Sequence, residues 1–121
     1  MPSRRTVQVA SLILQELSLL LQREIKDPGI GFVTLTDVEV SPDLRAARVY
    51  FSVLGDEQAV QQSREALERA SGFLRHELAQ RLTLRSVPEL HFVRDRSIER
   101  GQRIRELLRA IEEERKPSSE G

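Results

Sequence analysis

The sequence contains no cysteine and two histidines, His76 and His91. Without cysteine, neither a disulfide framework nor a thiolate metal site can form. A predicted helix-to-strand transition separates the two histidines, so they cannot act as a pair of ligands on one helical face. Ser71 lies in Ala-Ser-Gly rather than in a GxSxG elbow, and neither a P-loop nor a GxGxxG motif is present. We therefore expect no catalytic residue, no metal and no cofactor.

Long apolar runs are also missing. No stretch approaches the roughly 18 residues that a membrane span needs, and residues 1–6 lead into a predicted helix rather than a signal sequence. The length of 121 residues fits a single domain with a real core. We expect a cytoplasmic monomer with no membrane partner.

The net charge is zero, but the charges are unevenly distributed along the chain. Residues 1–68 carry 7 basic and 10 acidic side chains, whereas residues 69–109 carry 10 arginines and 5 acids. Local charge governs counterion release on a phosphate backbone, so the basic segment remains compatible with nucleic-acid binding. Arginine supplies 17 of the 19 basic residues, a bias that suits phosphate contacts but that genome composition could also produce.

The first half of the chain predicts a helix followed by a hairpin. Apolar residues recur at helical spacing over residues 4–25, and Pro28 with Gly29 ends that pattern. Residues 31–40 and 45–54 alternate in the period of a strand. Because only a short turn joins them, the two strands should pair antiparallel.

Residues 56–85 predict a kinked helix pair. Small and apolar residues follow helical spacing on both sides of Ala70, Ser71 and Gly72, where the pattern is interrupted. A glycine beside a serine is one of the few local compositions that produce a sharp kink. We expect two helices that meet at an angle, with arginines around the bend.

The remaining segments complete an α+β fold. Residues 87–93 predict a third strand, and a helix starting at Ser97 carries an apolar stripe that ends at Ile111. The predicted class is a single KH-like (type II) domain, with α-β-β-α-kink-α-β order, a C-terminal helix, and helices on one face of a three-stranded mixed sheet. We expect the domain to span residues 1–111, and residues 112–121 to form a flexible polar tail.

Several segments together resemble one bacterial family. They read IKDPGIGFVT and DVEVSPDL over residues 25–34 and 37–44, VYFSVLG over 49–55, ASGFLR over 70–75, LTLR over 82–85, and PELHF over 88–92. This set is similar to the ribosome-binding factor A family over about residues 4–111. In that family an Ala-x-Gly kink replaces the GxxG loop of KH domains, and Ala70, Ser71 and Gly72 match it one for one.

The resemblance implies a non-enzymatic ribosome assembly factor. Such proteins bind free 30S small ribosomal subunits, assist late maturation and 5′-end processing of 16S rRNA, support growth in the cold, and are released with help from a partner GTPase. We expect none of the contacts that the longer C-terminal extension makes in some members.

The candidate RNA-binding residues follow from the basic bend. First candidates are the arginines and kink residues on or beyond the interruption: Arg69, Ser71, Gly72, Arg75, Arg81 and Arg85. Second candidates lie on predicted loops and strand ends: Lys26, Arg45, Arg48, Arg94 and Arg96. Their proposed role is phosphate and groove contact without any bond made or broken.

Alternative functions stay open at this stage. One is a generic KH-like single-stranded RNA-binding protein. Another is a protein-interaction module, for which Phe73 and Leu74 beside the kink could form an exposed contact. An enzyme is the third and most distant alternative.

Overall fold

The computed structural model of the protein describes residues 3–23, 30 and 33–115, except for the side chains of residues 98–104 and 115. Within these residues the elements are α1 (Arg4–Arg23), β1 (Val33–Val40), β2 (Ala46–Val53), α2 (Glu57–Arg81), β3 (Glu89–Arg94) and α3 (Ser97–Arg115). The predicted α+β class with a three-stranded mixed sheet is confirmed. None of the described helices combines enough length with enough apolar character to cross a bilayer.

The sheet has the order β1-β2-β3, with β2 in the centre. β1 and β2 pair antiparallel as predicted, with a bulge between Leu35 and Asp37, and β3 runs parallel to β2. The β1–β2 turn is closed by the Ser41 hydroxyl, which donates to the Asp43 carboxylate at 2.7 Å. Asp43 in turn accepts from the Arg45 backbone N–H at 3.1 Å, so the turn is held by its own side chains.

Helices α1 and α2 cover one face of the sheet and enclose the core. Ile13 and Leu17 of α1, Leu67 and Leu74 of α2, and Phe51 of β2 are completely buried there. Successive strand residues point to opposite faces, so the alternate residues Arg48 and Tyr50 of β2 lie on the face away from the helices. The molecule therefore has a helical side and an open sheet side.

Helix α2 is one continuous helix of 25 residues. The predicted division into two helices at Ala70, Ser71 and Gly72 is wrong, because all three lie within one continuous helix. A glycine inside a helix costs about 1 kcal/mol relative to alanine. Leu67 and Leu74 lie seven residues apart on the buried face, and each contributes roughly 1.5–3 kcal/mol by its burial. Breaking the helix between them would turn one of the two away from the core, and that cost exceeds the cost of the glycine.

Both ends of α2 are well defined. Asp56 caps the start by accepting a hydrogen bond from the Ala59 backbone N–H at 2.9 Å. The helix ends at Arg81, because Leu82 adopts an extended backbone (φ −111°, ψ 140°) and buries its side chain. The prediction that helix continues to residue 85 is therefore wrong, and Arg85 lies in the loop that leads to β3.

Helix α3 extends to Arg115, beyond the predicted end of the apolar stripe at Ile111. All of its described side chains, those of Ser97 and residues 105–114, are exposed. Leu107, Leu108 and Ile111 are 62, 55 and 38% exposed. Over these residues the apolar stripe is thus not packed on the rest of the domain.

Candidate nucleic-acid interface

The middle of α2 carries four of the predicted site residues. Arg69, Gly72 and Arg75 are exposed, and Ser71 is half-buried. A Cβ atom added to Gly72 would meet no neighbouring atom of the described residues within 4 Å, so the backbone is open to solvent at this point. Ala70, the remaining predicted kink residue, packs against the core.

Arg64, on the same helix, precedes Ser71 by seven residues. Helical geometry arranges Arg64 and the four predicted residues in two stripes about 120° apart, with Gly72 between them. Successive helix residues turn by about 100°, so Arg64, Ser71 and Arg75 fall within about 40° of one another. Arg69 lies roughly 120° further round the helix, and Gly72 falls between the two positions. We call Arg64, Arg69, Ser71, Gly72 and Arg75 together the α2 surface.

Arg75 links the α2 surface to the loop that follows the helix. Its Nη2 donates to the Val87 carbonyl oxygen at 3.0 Å, while the side chain stays exposed. The same loop contains Arg85. One guanidinium group can thus contact the loop and still present its remaining N–H groups to a ligand.

Arg81, a first candidate, is engaged within the protein. Its Nη1 donates to the Glu77 carboxylate at 2.8 Å, and its Nε lies 3.6 Å from a Glu16 carboxylate oxygen on α1. The spacing of six residues also turns Arg81 by about 240° from Arg75. Arg69, Arg75 and Arg81 therefore point in three directions around α2 and do not share a face.

Arg85 lies at the end of the domain that carries the β1–β2 turn. It lines a groove of about 440 Å³ together with Arg5, Asp43 and Leu44. Arg45, which follows the turn, is exposed at the same end of the molecule. Sequence reasoning did not identify Arg5, because only the tertiary fold brings the first turn of α1 next to residue 85.

The other second candidates are dispersed. Arg48 is exposed on the open sheet face, between Glu39 of β1 and His91 of β3 in the strand register.

Arg94 is 10% exposed and its Nη1 donates to Glu57 at 2.7 Å, at the first turn of α2. Arg96 is exposed close to the same carboxylate. Glu57 and Arg75 are about 27 Å apart along the helix axis, so these two arginines are remote from Arg75. Lys26 lies outside the described residues.

Arg64 is a residue that the sequence reasoning missed. It is half-buried, and its Nε is buried without a hydrogen-bond partner among the described residues. A signal was present in the sequence, because Arg64 precedes Ser71 by seven residues and Arg75 by eleven, which places the three on one stripe of a helix. If the helix were interrupted at residue 70, as predicted, these three residues would not share one stripe.

Among the described residues, the carboxyl groups of Glu57 and Asp43 have shifted pKa values, and neither belongs to the α2 surface. The hydrogen bond and charge of Arg94 hold the pKa of Glu57 below its ordinary value. The Ser41 hydroxyl, followed by the Arg45 backbone N–H, lowers the pKa of Asp43. Both shifts stabilise a charged carboxylate that already has a structural partner.

The described residues show no group of three or more His, Asp or Glu side chains that could hold a metal ion. His76 and His91 are both exposed and lie on different elements. Leu74, which the protein-interaction alternative placed at the surface, is completely buried, whereas Phe73 is 41% exposed. Of that predicted apolar contact, only Phe73 reaches the surface.

These features define a small α+β domain with an open sheet on one side and an arginine-bearing helix exposed on the other. The family model of ribosome-binding factor A matches residues 5–108. The chain is 53% identical over 112 residues to ribosome-binding factor A of Heliobacterium modesticaldum, and the match covers 93% of each chain. The chain therefore belongs to the ribosome-binding factor A family, and the resemblance found in the sequence is confirmed.

Solved structures agree with this assignment. The crystal structure of ribosome-binding factor A from Thermus thermophilus matches with a TM-score of 0.68 at 26% identity, covering 76% of this chain and 97% of that one. A second match, with a TM-score of 0.60 at 28% identity, covers 72% of this chain and 91% of the other. It is a homology model of the Thermus thermophilus factor fitted into the cryo-electron-microscopy map of its 30S complex.

Proposed function

We propose that this protein binds the small ribosomal subunit and contacts its RNA through the α2 surface, without making or breaking a bond. The observation that carries the proposal is membership of the ribosome-binding factor A family, one member of which is placed in a 30S complex. Binding to an RNA scaffold needs positioned cations rather than a reactive group, and the exposed arginines of α2 meet that requirement.

The geometry favours the middle of α2 over the other candidates. Arg69 and Arg75 are both exposed and lie on either side of Gly72 around the helix, and at Gly72 no side chain keeps a partner away from the helix backbone. Arg94 is only 10% exposed, and Arg81 is turned by about 240° from Arg75, so neither side chain adds to the α2 surface. Arg85, in the loop contacted by Arg75, extends the same surface toward the β1–β2 turn.

The finer role follows from the family. We infer that the factor acts in the cytoplasm on free 30S subunits, holds one RNA conformation during late maturation, and thereby assists 5′-end processing of 16S rRNA and growth in the cold. It leaves the subunit with help from a partner GTPase. The binding unit is the domain of residues 1–111, and it acts as a monomer.

Sedimentation through a sucrose gradient tests the proposal. The tagged protein is expected to travel with free small subunits and not with complete ribosomes. The double variant Arg69→Glu, Arg75→Glu should bind the subunits more weakly, and its remaining affinity should depend less on salt because fewer phosphates are neutralised. The control Arg23→Glu, Arg109→Glu makes the same charge change at exposed positions on α1 and α3 and should bind like the unmodified protein.

Other outcomes would support the alternatives. Equal affinity for short single-stranded oligonucleotides and for subunits would indicate a generic RNA-binding protein. Co-sedimentation that persists at high salt would indicate contacts with ribosomal proteins instead. If both double variants bind alike, the α2 surface is not the interface.

A further inference from the structure

Phe73 is a solvent-exposed ring in the middle of α2. The chain contains four phenylalanines, and of these Phe51 and Phe92 are buried in the core, whereas Phe73 is 41% exposed. The next residue, Leu74, is completely buried, so the direction of the Phe73 side chain is set by a firmly anchored helix. The fold holds this aromatic ring at the surface, where it contributes less to the core than an inward residue would.

The surroundings of the ring are polar. Arg69, Phe73, His76 and Gln80 follow one another at spacings of four, three and four residues, which places them within about 60° of one another around the helix. All four are exposed. The Gln80 amide nitrogen lies 3.1 Å from His76 Nε2, so these two side chains form a hydrogen-bonded pair beside the ring.

Gly72 precedes the ring in the chain and lies about 100° from it around the helix. A Cβ atom at this position would meet no described atom within 4 Å, apart from its chain neighbours and the backbone of the helix, so the helix surface at Gly72 is open. Among the described residues, no contact therefore requires glycine here. An exposed glycine in a helix interior destabilises the helix relative to alanine. We therefore attribute the glycine at position 72 to a ligand that contacts the helix backbone there.

The chemistry of this face suits a flat ligand with polar edges. The apolar core of a protein–protein interface is built from several apolar side chains packed together, whereas on this stripe of α2 Phe73 lies between the polar residues Arg69 and His76. An unpaired nucleobase offers a π face to the ring, and its edge and phosphate offer partners to arginine, histidine and glutamine.

We propose that Phe73 stacks on an unpaired base of the small-subunit RNA, with Gly72 admitting the base and with Arg69, His76 and Gln80 contacting its edge or its phosphate. This inference rests on the proposed function and refines it, because it names a single-stranded segment of that RNA as the element bound. It also assigns base recognition to the stripe of α2 that carries Phe73, and phosphate contact to Arg75.

Four variants test the inference through their affinity for purified small subunits. Loss of one stacked base weakens binding by between about fivefold and 150-fold, and Phe73→Ala should show a loss in that range. Phe73→Leu should weaken binding as well, since leucine keeps the apolar character but has no π face. Phe73→Trp should bind at least as tightly as the unmodified protein. Leu12→Ala is the control, because Leu12 is 47% exposed on α1 and its truncation should leave binding unchanged.

Tryptophan fluorescence adds a readout that a merely structural role of Phe73 would not change. The chain has no tryptophan, so Phe73→Trp places a single indole at the proposed contact. Stacking on a base should quench its emission when subunits are added. Unchanged emission, or a Phe73→Leu variant that binds like the unmodified protein, would overturn the inference, as would undiminished binding by Phe73→Ala. Failure of the unmodified protein to bind subunits would instead overturn the proposed function.

Discussion

Arg94 at the end of β3 and Glu57 in the first turn of α2 form an ion pair with an Nη1–Oε1 distance of 2.7 Å. The two residues are 37 positions apart in the sequence, and Arg94 is 10% exposed while Glu57 is 79% exposed. The pair ties the edge strand to the start of the helix that carries the α2 surface. It also explains why Arg94, a candidate cation in the sequence, is not directed outward.

This pair predicts a pH dependence of stability. Arg94 lowers the pKa of Glu57 from its ordinary value of 4.5, so the unfolded chain takes up a proton at higher pH than the folded protein. The stabilisation is fully present above pH 4.5 and is lost as the pH falls through the lowered pKa. Urea unfolding at a series of pH values should show Glu57→Gln less stable than the unmodified protein at pH 7, with the difference shrinking as the pH falls below 4.5. A difference that stays constant across this range would contradict the assignment.

Two glycines should respond to alanine in opposite directions. Gly55 has φ +143°, and a Cβ atom there would lie 2.8 Å from Ala59 Cβ, so Gly55→Ala should lower the free energy of unfolding by roughly 1–3 kcal/mol. At Gly72 the added methyl group meets nothing within 4 Å, so Gly72→Ala should raise that free energy by about 0.5–1 kcal/mol. Urea titrations of both variants measure these changes.

The same glycine pair also bears on function. If Gly72 is kept so that RNA can approach the helix backbone, Gly72→Ala should bind subunits more weakly although it is more stable. A Gly72→Ala protein that is stabilised and binds normally would remove Gly72 from the interface.

A buried leucine on α2 and an exposed leucine on α3 should differ strongly in how much their truncation to alanine lowers the free energy of unfolding. Leu74 is completely buried in the core, and Leu74→Ala should cost roughly 2–5 kcal/mol through lost burial and the cavity left behind. Leu107 on α3 is 62% exposed, so Leu107→Ala should change the free energy of unfolding by no more than about 0.5 kcal/mol. Chemical denaturation compares them directly, and a large loss with Leu107→Ala would show that α3 packs on the domain in solution.

Arg81 is expected to act in stability more than in binding. It lies 3.6 Å from Glu16 and 2.8 Å from Glu77, with its side chain 36% exposed, so Arg81→Ala should lower the free energy of unfolding by about 0.2–1 kcal/mol. A double-mutant cycle with Glu16→Gln isolates the link between α1 and α2. Subunit affinity should change less than it does for Arg75→Ala, and an equal loss would return Arg81 to the interface.

Much of the architecture could be predicted from local patterns. Alternation identified β1 and β2, and helical periodicity identified α1, α2 and α3, because both signals depend on neighbours a few residues apart. The misplaced break at Ala70–Gly72 shows the limit of such reasoning. Glycine beside serine there predicts a division into two helices. Leu67 and Leu74 are buried on the same side of the sheet, however, and their combined burial keeps the helix continuous.

The candidate site was predictable in part. The charge distribution along the chain indicated the arginine-rich segment 69–109, but it does not show which of these arginines form ion pairs within the protein. The spacing of four residues indicates the Glu77–Arg81 pair. The contacts of Arg81 with Glu16 and of Arg94 with Glu57 could not be identified from spacing along the chain.

The sequence by itself determined the family, the α+β class, the antiparallel hairpin and the arginine-rich segment, since each is a property of short stretches read in order. Only the tertiary structure decided that Arg81 contacts Glu16 and Arg94 contacts Glu57, that the Arg64 Nε is buried, and that Phe73 is exposed while Leu74 is buried. The physical reason is that ion pairing and burial depend on distances between residues that the packing of α1 and α2 on the sheet brings together, and a one-dimensional pattern does not contain those distances.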